Sequence, residues 1–179
     1  MKDTSYRVAL GGIITSLCLM AMFLAGIMPI LYIVFPMIAG VLMMIMSIEV
    51  NTKWALLTYL SVSLLSMIIT FDKESALIFV MFFGHYPILR TYIEKLKSAF
   101  LRNLIRIVLF NLCIIAYFYV TVYIFGLSEI LEEQKDLGKY GAWIMLVVSD
   151  IIFLLYDYNL SLCYSIYKMK IMPKFGRKN

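Results

Sequence analysis

Along the 179 residues, apolar stretches alternate with short polar turns. The first runs from about Tyr6 to Met28, and Gly26 and Pro29 mark its end, because glycine is permissive and proline breaks the hydrogen-bond ladder. The second starts at Pro29 or Ile30 and reaches Ile48, with Pro36 placed to kink it. Glu49, Asn51, Thr52 and Lys53 make a turn, and a third helix follows from Trp54 to about Thr70. Asp72, Lys73 and Glu74 precede a short fourth helix, Ser75 to about Tyr86, which Pro87 ends or kinks. From Arg90 to Arg106, Ile93, Leu96, Phe100, Leu101 and Leu104 recur among basic residues. That spacing predicts an amphipathic helix lying in the interface at the inner surface. A fifth helix spans about Leu104 to Phe125, and an acidic outer loop, 127–141, carries Glu129, Glu132, Glu133 and Asp136. The sixth runs from Ala142 to Tyr167. The pattern predicts an all-α fold, an integral membrane bundle of six transmembrane helices forming one domain over 1–179.

The sixth stretch carries two carboxylates, Asp150 and Asp157. Seven residues apart, they share one helix face. A carboxylate in hydrocarbon is costly unless paired, wetted or protonated. The other helices must shelter this face, so the sixth helix is expected to be the seam around which the bundle closes.

Composition agrees with a membrane solvent. Hydrophobic residues make up 63% of the chain and charged residues 15%, against about 25% charged in soluble domains. Mean hydropathy is +0.91. Short loops leave no room for a soluble catalytic domain. The net charge of +5 could suggest nucleic acid, but the basic residues flank membrane spans, so no nucleic-acid partner is expected. With an inside N-terminus and six spans, Lys2, Arg7, Lys53, Arg90, Lys95, Lys97, Arg102, Arg106, Lys168, Lys170, Lys174, Arg177 and Lys178 fall inside. Lys73, Lys135 and Lys139 fall outside. The positive-inside rule thus puts both termini inside. Lys2 and Arg7 before an apolar run resemble a signal peptide, yet no small-x-small cleavage site follows, and the run reads as the first transmembrane helix.

Little conventional chemistry is visible. Cys18, Cys113 and Cys163 are scattered through apolar runs and form neither a metal pattern nor a disulfide framework. No Walker, HExxH, CxxC or GxSxG motif occurs, so neither a metal, a cofactor nor enzymatic activity is expected. If ATP is used, a partner must supply its site. Polar residues inside the spans are the candidates. Asp150 lies in the outer half, where it can contact a solute from outside or bond internally to hydroxyls such as Ser61, Ser63 or Tyr119. Asp157, His85, Arg106 and Asn111 form a candidate buried polar network, with Asp157 matched in depth to Arg106 or His85. Two carboxylates on one face could also relay protons or cations. Tyr117, Phe118, Tyr119, Tyr123 and Phe125 can stack on a planar solute or form an interfacial belt. On the first helix, Gly12 with Ser16 and Ala21 with Ala25 have the small-x-x-x-small spacing that permits close approach within the bundle or to a partner helix.

A chain of this size with six helices, both ends inside and small-residue pairs on the first helix resembles the substrate-binding S-components of energy-coupling factor transporters. The FGHYPIL stretch from Phe83 to Leu89, followed by the basic segment, resembles a signature of one branch. The resemblance implies a solute-binding subunit that takes up a vitamin-like micronutrient from outside. Its partners would be a membrane coupling subunit and two cytoplasmic ATPases. It implies substrate contacts at Asp150, Tyr119 and Tyr123, and partner docking through Gly12, Ser16, Ala21 and Ala25, the nearest matches to the family's Ala-x-x-x-Ala motif. The basic 90–106 segment would meet anionic lipid or the coupling subunit. The expected location is the cell membrane, as a multi-pass protein. A membrane scaffold or lipid-binding subunit, and a small proton-coupled carrier, are the alternatives.

Overall fold

The structure, a computed structural model, describes residues 4–126 and 140–171. Most of the acidic loop (127–139) and the basic tail (172–179) lie outside the described residues. The described chain is a helical bundle making six passes. Five of them are long and apolar enough to cross a membrane.

Local chemistry sets the ends of the passes. Helix α1, Thr4–Ile27, stops before a single 3-10 turn, Pro29–Leu31. Helix α2, Val34–Glu49, is only about 24 Å long at 1.5 Å per residue. Pro36 does not kink it, contrary to expectation. It stands in the first turn of α2, where a backbone N–H would have no intrahelical partner, so its absence breaks nothing. The Asn51 side chain caps α3, Thr52–Ile69, by accepting from the Trp54 N–H at 3.0 Å. Lys73 donates to the carbonyls of Met67 and Thr70 at 2.8 and 3.0 Å, closing the other end. Asp72 then caps α4, Lys73–Ile78, through the Glu74 N–H.

The fourth pass does not end at Tyr86. It continues from α4 through a π-helical turn, Phe79–Phe83, into α5, Tyr86–Ile93. Pro87 sits in the first turn of α5, the place where proline starts a helix and does not break one. The basic stretch 90–106 is consequently not one interfacial helix. Its first residues finish α5, residues 94–98 turn, and Ser98 caps α6, Ala99–Tyr119, by accepting from the Leu101 N–H at 3.3 Å. A second π-helical turn, Val120–Ile124, extends α6. Helix α7, Gly141–Ile166, makes the last pass and continues as a π-helical turn, Tyr167–Ile171.

The seam of the bundle is the fourth pass, not the last. Some 61% of its apolar window is buried, against 17% for the last pass. The residues explain the exchange. Phe79, Phe82, Phe83, Tyr86 and Ile88 are all buried on the fourth pass. Phe82 stacks on Tyr86 at 4.7 Å and meets Phe110 and Phe153 edge-on. Phe110 of α6 stacks on Phe153 of α7 at 4.6 Å. Leu154, Leu155 and Tyr158 of α7 remain exposed, as suits a lipid-facing helix. Gly40 on α2 permits the closest approach: a Cβ there would collide with the Tyr156 hydroxyl and the Phe83 carbonyl. Small residues at such crossings let membrane helices pack by van der Waals contact.

Both described ends lie on one side. Tyr6 of α1 and Tyr167 after α7 donate to the two carboxylate oxygens of Glu49, at 3.3 and 2.8 Å. On the opposite side, Ser75 donates to the Tyr32 carbonyl at 3.0 Å, and a Cβ on Gly26 would meet the Phe71 backbone at 3.2 Å. Arg7, Lys53, Arg90, Lys95, Lys97, Arg102, Arg106, Lys168 and Lys170 all belong to the Glu49 end, and among the described residues Lys73 alone belongs to the other. The positive-inside rule makes the Glu49 end the inner one.

Candidate functional site

The charged residues buried in the bundle converge on Asp157. Arg90 on α5 donates from Nε to Oδ1 at 2.7 Å, and Arg106 on α6 donates from Nη1 to Oδ2 at 3.0 Å. The Tyr86 hydroxyl, one turn before Arg90, donates to Oδ1 at 2.6 Å. Arg90 Nη2 also donates to Ser161 Oγ at 2.6 Å and lies 2.9 Å from Glu94 Oε1. Arg106 reaches the same Glu94 oxygen, and Arg102 Nε stands 3.5 Å from Glu94 Oε2. The side chains of Arg90, Arg106 and Asp157 are 8%, 12% and 13% exposed. This is a nearly dry network, where ion pairs hold only if their geometry is good; both oxygens of Asp157 are engaged, while Arg106 Nε is buried without a partner among the described residues. Three donors from two helices occupy the carboxylate. The network therefore works as a clamp joining the fourth, fifth and sixth passes.

The seven-residue spacing does turn both carboxylates of α7 toward α6. Asp150, however, belongs to a separate pair. Asn111 donates to its Oδ1 at 3.0 Å and to the Ile107 carbonyl at 3.0 Å. Of the four residues expected as one polar network, Asp157 and Arg106 meet, whereas Asn111 goes to Asp150. His85 stands apart. Its Nε2 lies 3.9 Å from the Cys113 sulfur, and its ring packs edge-on against Tyr59. His85 immediately precedes Tyr86, so it stands about 100° around the helix from the face that Tyr86 and Arg90 share. Arg90, Tyr86, Glu94 and Ser161 were not anticipated. The signal was present: Tyr86, Arg90 and Glu94 recur every four residues, as do Asp157 and Ser161, so each set lies on one helix face.

Tyr119 and Tyr123 are exposed and pack on each other at 4.8 Å. Neither bonds to Asp150 among the described residues, and their place on the outer, lipid-facing part of α6 is that of an interfacial belt. On α1 the two small-residue pairs separate. Ala21 and Ala25 are buried and make their close contacts within the bundle. Gly12 and Ser16 are exposed, with nothing within 4 Å of a Cβ built on Gly12. Ser16 Oγ turns back to the Gly12 carbonyl at 2.9 Å, which keeps that strip flat.

Two cavities flank this framework. A crevice of about 50 Å³ lies toward the outer side, among Phe82, Phe110, Tyr117, Ser149 and Ile152. Tyr117 is the tyrosine of its run that faces inward, being buried where Tyr119 and Tyr123 are exposed. A cavity of about 710 Å³ lies at the inner end, between α2, α5 and α7, next to Arg90. Comparison with protein-family models, with curated proteins and with solved structures gave no match.

Proposed function

We propose that this chain is the membrane-embedded solute-binding subunit of an ATP-driven micronutrient importer of the energy-coupling factor kind, resident in the cell membrane. The observation that carries the reading is the open strip at Gly12 and Ser16 on α1, in a six-pass bundle whose described ends share the inner side. A flat strip among large exposed neighbours such as Ile13, Leu17 and Met20 suits close docking of a second membrane protein. That partner is the coupling subunit, and the two ATPases it holds supply the energy that this chain has no motif to extract.

The solute enters from the outer side, at the crevice walled by Phe82, Phe110 and Tyr117. At about 50 Å³ the crevice holds a few waters at most, so loading requires α6 and α7 to part from the fourth pass. The ring faces would then stack on a planar solute. Asp150, paired to Asn111, lies one residue beyond Ser149 on the crevice wall and is the polar contact such a solute would exchange for Asn111.

The test is copurification. The protein is extracted from its own host, and associated proteins and small molecules are identified by mass spectrometry. A coupling subunit, two ATPases and a stoichiometric solute are expected. Gly12→Trp should abolish recovery of the coupling subunit while leaving the chain's melting temperature unchanged. Equal recovery with Gly12→Trp, or recovery of lipid alone, overturns the reading.

A further inference from the structure

Arg90 is gripped from one side. Its Nε is held by Asp157 and its Nη2 by Ser161 and Glu94, while Nη1 has no protein acceptor among the described residues. The residue itself is only 7% exposed, yet it lines the 710 Å³ inner cavity. A fixed guanidinium with a spare donor edge, set in a cavity, is pre-organised for a planar or tetrahedral oxyanion. The rest of the wall agrees. Lys95 and Lys168 line the cavity, and Glu94 is its only carboxylate among the described residues. Glu94 is already engaged by Arg90, Arg102 and Arg106, so the wall retains an excess of positive charge. Ser47 adds a hydroxyl donor, and Met44, Ile48 and Pro87 supply an apolar floor. The volume falls within the ~300–1,000 Å³ of small-ligand sites.

We infer that this inner-end cavity binds a phosphate-bearing anion, with Arg90 Nη1 as the fixed donor and Lys95 and Lys168 as mobile cations at its wall. The phosphate can be that of an inner-leaflet phospholipid, since basic pockets between helices at this depth take lipid headgroups, or that of a free phosphate. The site does not depend on the importer reading, because it lies at the opposite end from the solute crevice.

The test uses the full-length protein in uncharged detergent, stripped of lipid. Binding of phosphatidylglycerol is compared with that of phosphatidylcholine by native mass spectrometry. Inorganic phosphate is compared with chloride by thermal stabilisation. Each experiment is repeated on the double variant Lys95→Gln/Lys168→Gln, whose side chains are exposed and whose loss should not unfold the chain. A lysine near an anionic lipid headgroup contributes about fivefold in affinity, so loss of the pair should weaken binding about 25-fold. Selective phosphatidylglycerol retention that falls in the variant supports the site with a lipid source. A saturable response to phosphate that falls in the variant, without lipid selectivity, supports it with a soluble source. Equal retention of both lipids with no response to phosphate overturns the inference, as does affinity unchanged by the double substitution.

Discussion

Replacing Asp157 with asparagine is the sharpest probe of how this bundle is held together. Asparagine is nearly the same shape, so packing is preserved and charge alone is removed. It still presents one carbonyl oxygen, but its amide nitrogen now faces a guanidinium. Arg90, Arg102 and Arg106 are left with Glu94 as their sole anion in the network. Breaking a buried pair costs about 3–5 kcal/mol. With Arg90 8% and Asp157 13% exposed, solvent recovers little of that. The remaining acceptor argues for the lower end, about 3 kcal/mol. For a chain of this size that is a fall of roughly 6–12 °C in Tm. The assay is thermal unfolding in detergent followed by a thiol-reactive dye, because Cys18 and Cys113 are buried until the bundle opens. A cycle adding Arg90→Met should recover part of the loss, with a coupling of about 1–3 kcal/mol. A Tm within about 2 °C of the parent would show that lipid headgroups or water replace the clamp, and the reasoning would fail.

Two further substitutions test other contacts. Gly40→Ala places a Cβ 2.6 Å from the Phe83 carbonyl oxygen, which is backbone and cannot swing aside. It should destabilise by about 1–3 kcal/mol, and an unchanged dye-detected Tm would show that α2 and the fourth pass are not in contact there. Asn111→Leu strips Asp150 of its donor and should cost about 1–3 kcal/mol; Asp150→Leu in the same chain should recover most of it, and failure of that rescue in the same melt would mean that the pair is not the reason.

The passes were legible because hydrophobic length is a direct signal in a membrane protein, where every backbone group must be satisfied within a helix. The inner orientation was equally legible from the lysines and arginines. Prolines misled. Pro36 and Pro87 read as breaks, but each occupies a helix's first turn, where a missing N–H is harmless. That single misreading shortened the fourth pass and turned Arg90 into a surface residue. It also shifted the seam to α7, whose carboxylates demanded shelter. Shelter came instead from two arginines reaching across, which sequence spacing on α7 alone does not reveal. Tyr119 and Tyr123 face away from the bundle for a related reason: rotation of α6 is fixed by Phe110, Cys113 and Tyr117 packing inward, and residues two and six beyond Tyr117 then face out.

The clamp and the inner cavity share Arg90, and this has a mechanical consequence. Asp157 and Ser161 lie on α7, Arg90 and Glu94 at the end of the fourth pass, and Arg106 on α6. An anion that engages Arg90 Nη1 competes for the same guanidinium charge that Asp157 holds. Occupation of the cavity must therefore alter the grip between α7 and the fourth pass. The outer crevice lies between the same elements, with Phe82 on the fourth pass and Ser149 and Ile152 on α7. A rigid helix transmits a tilt from one end to the other, so a looser clamp inside would favour parting at the crevice outside. The sign follows from the charges: the anion weakens Asp157's hold, and α7 is the least buried of the five long spans.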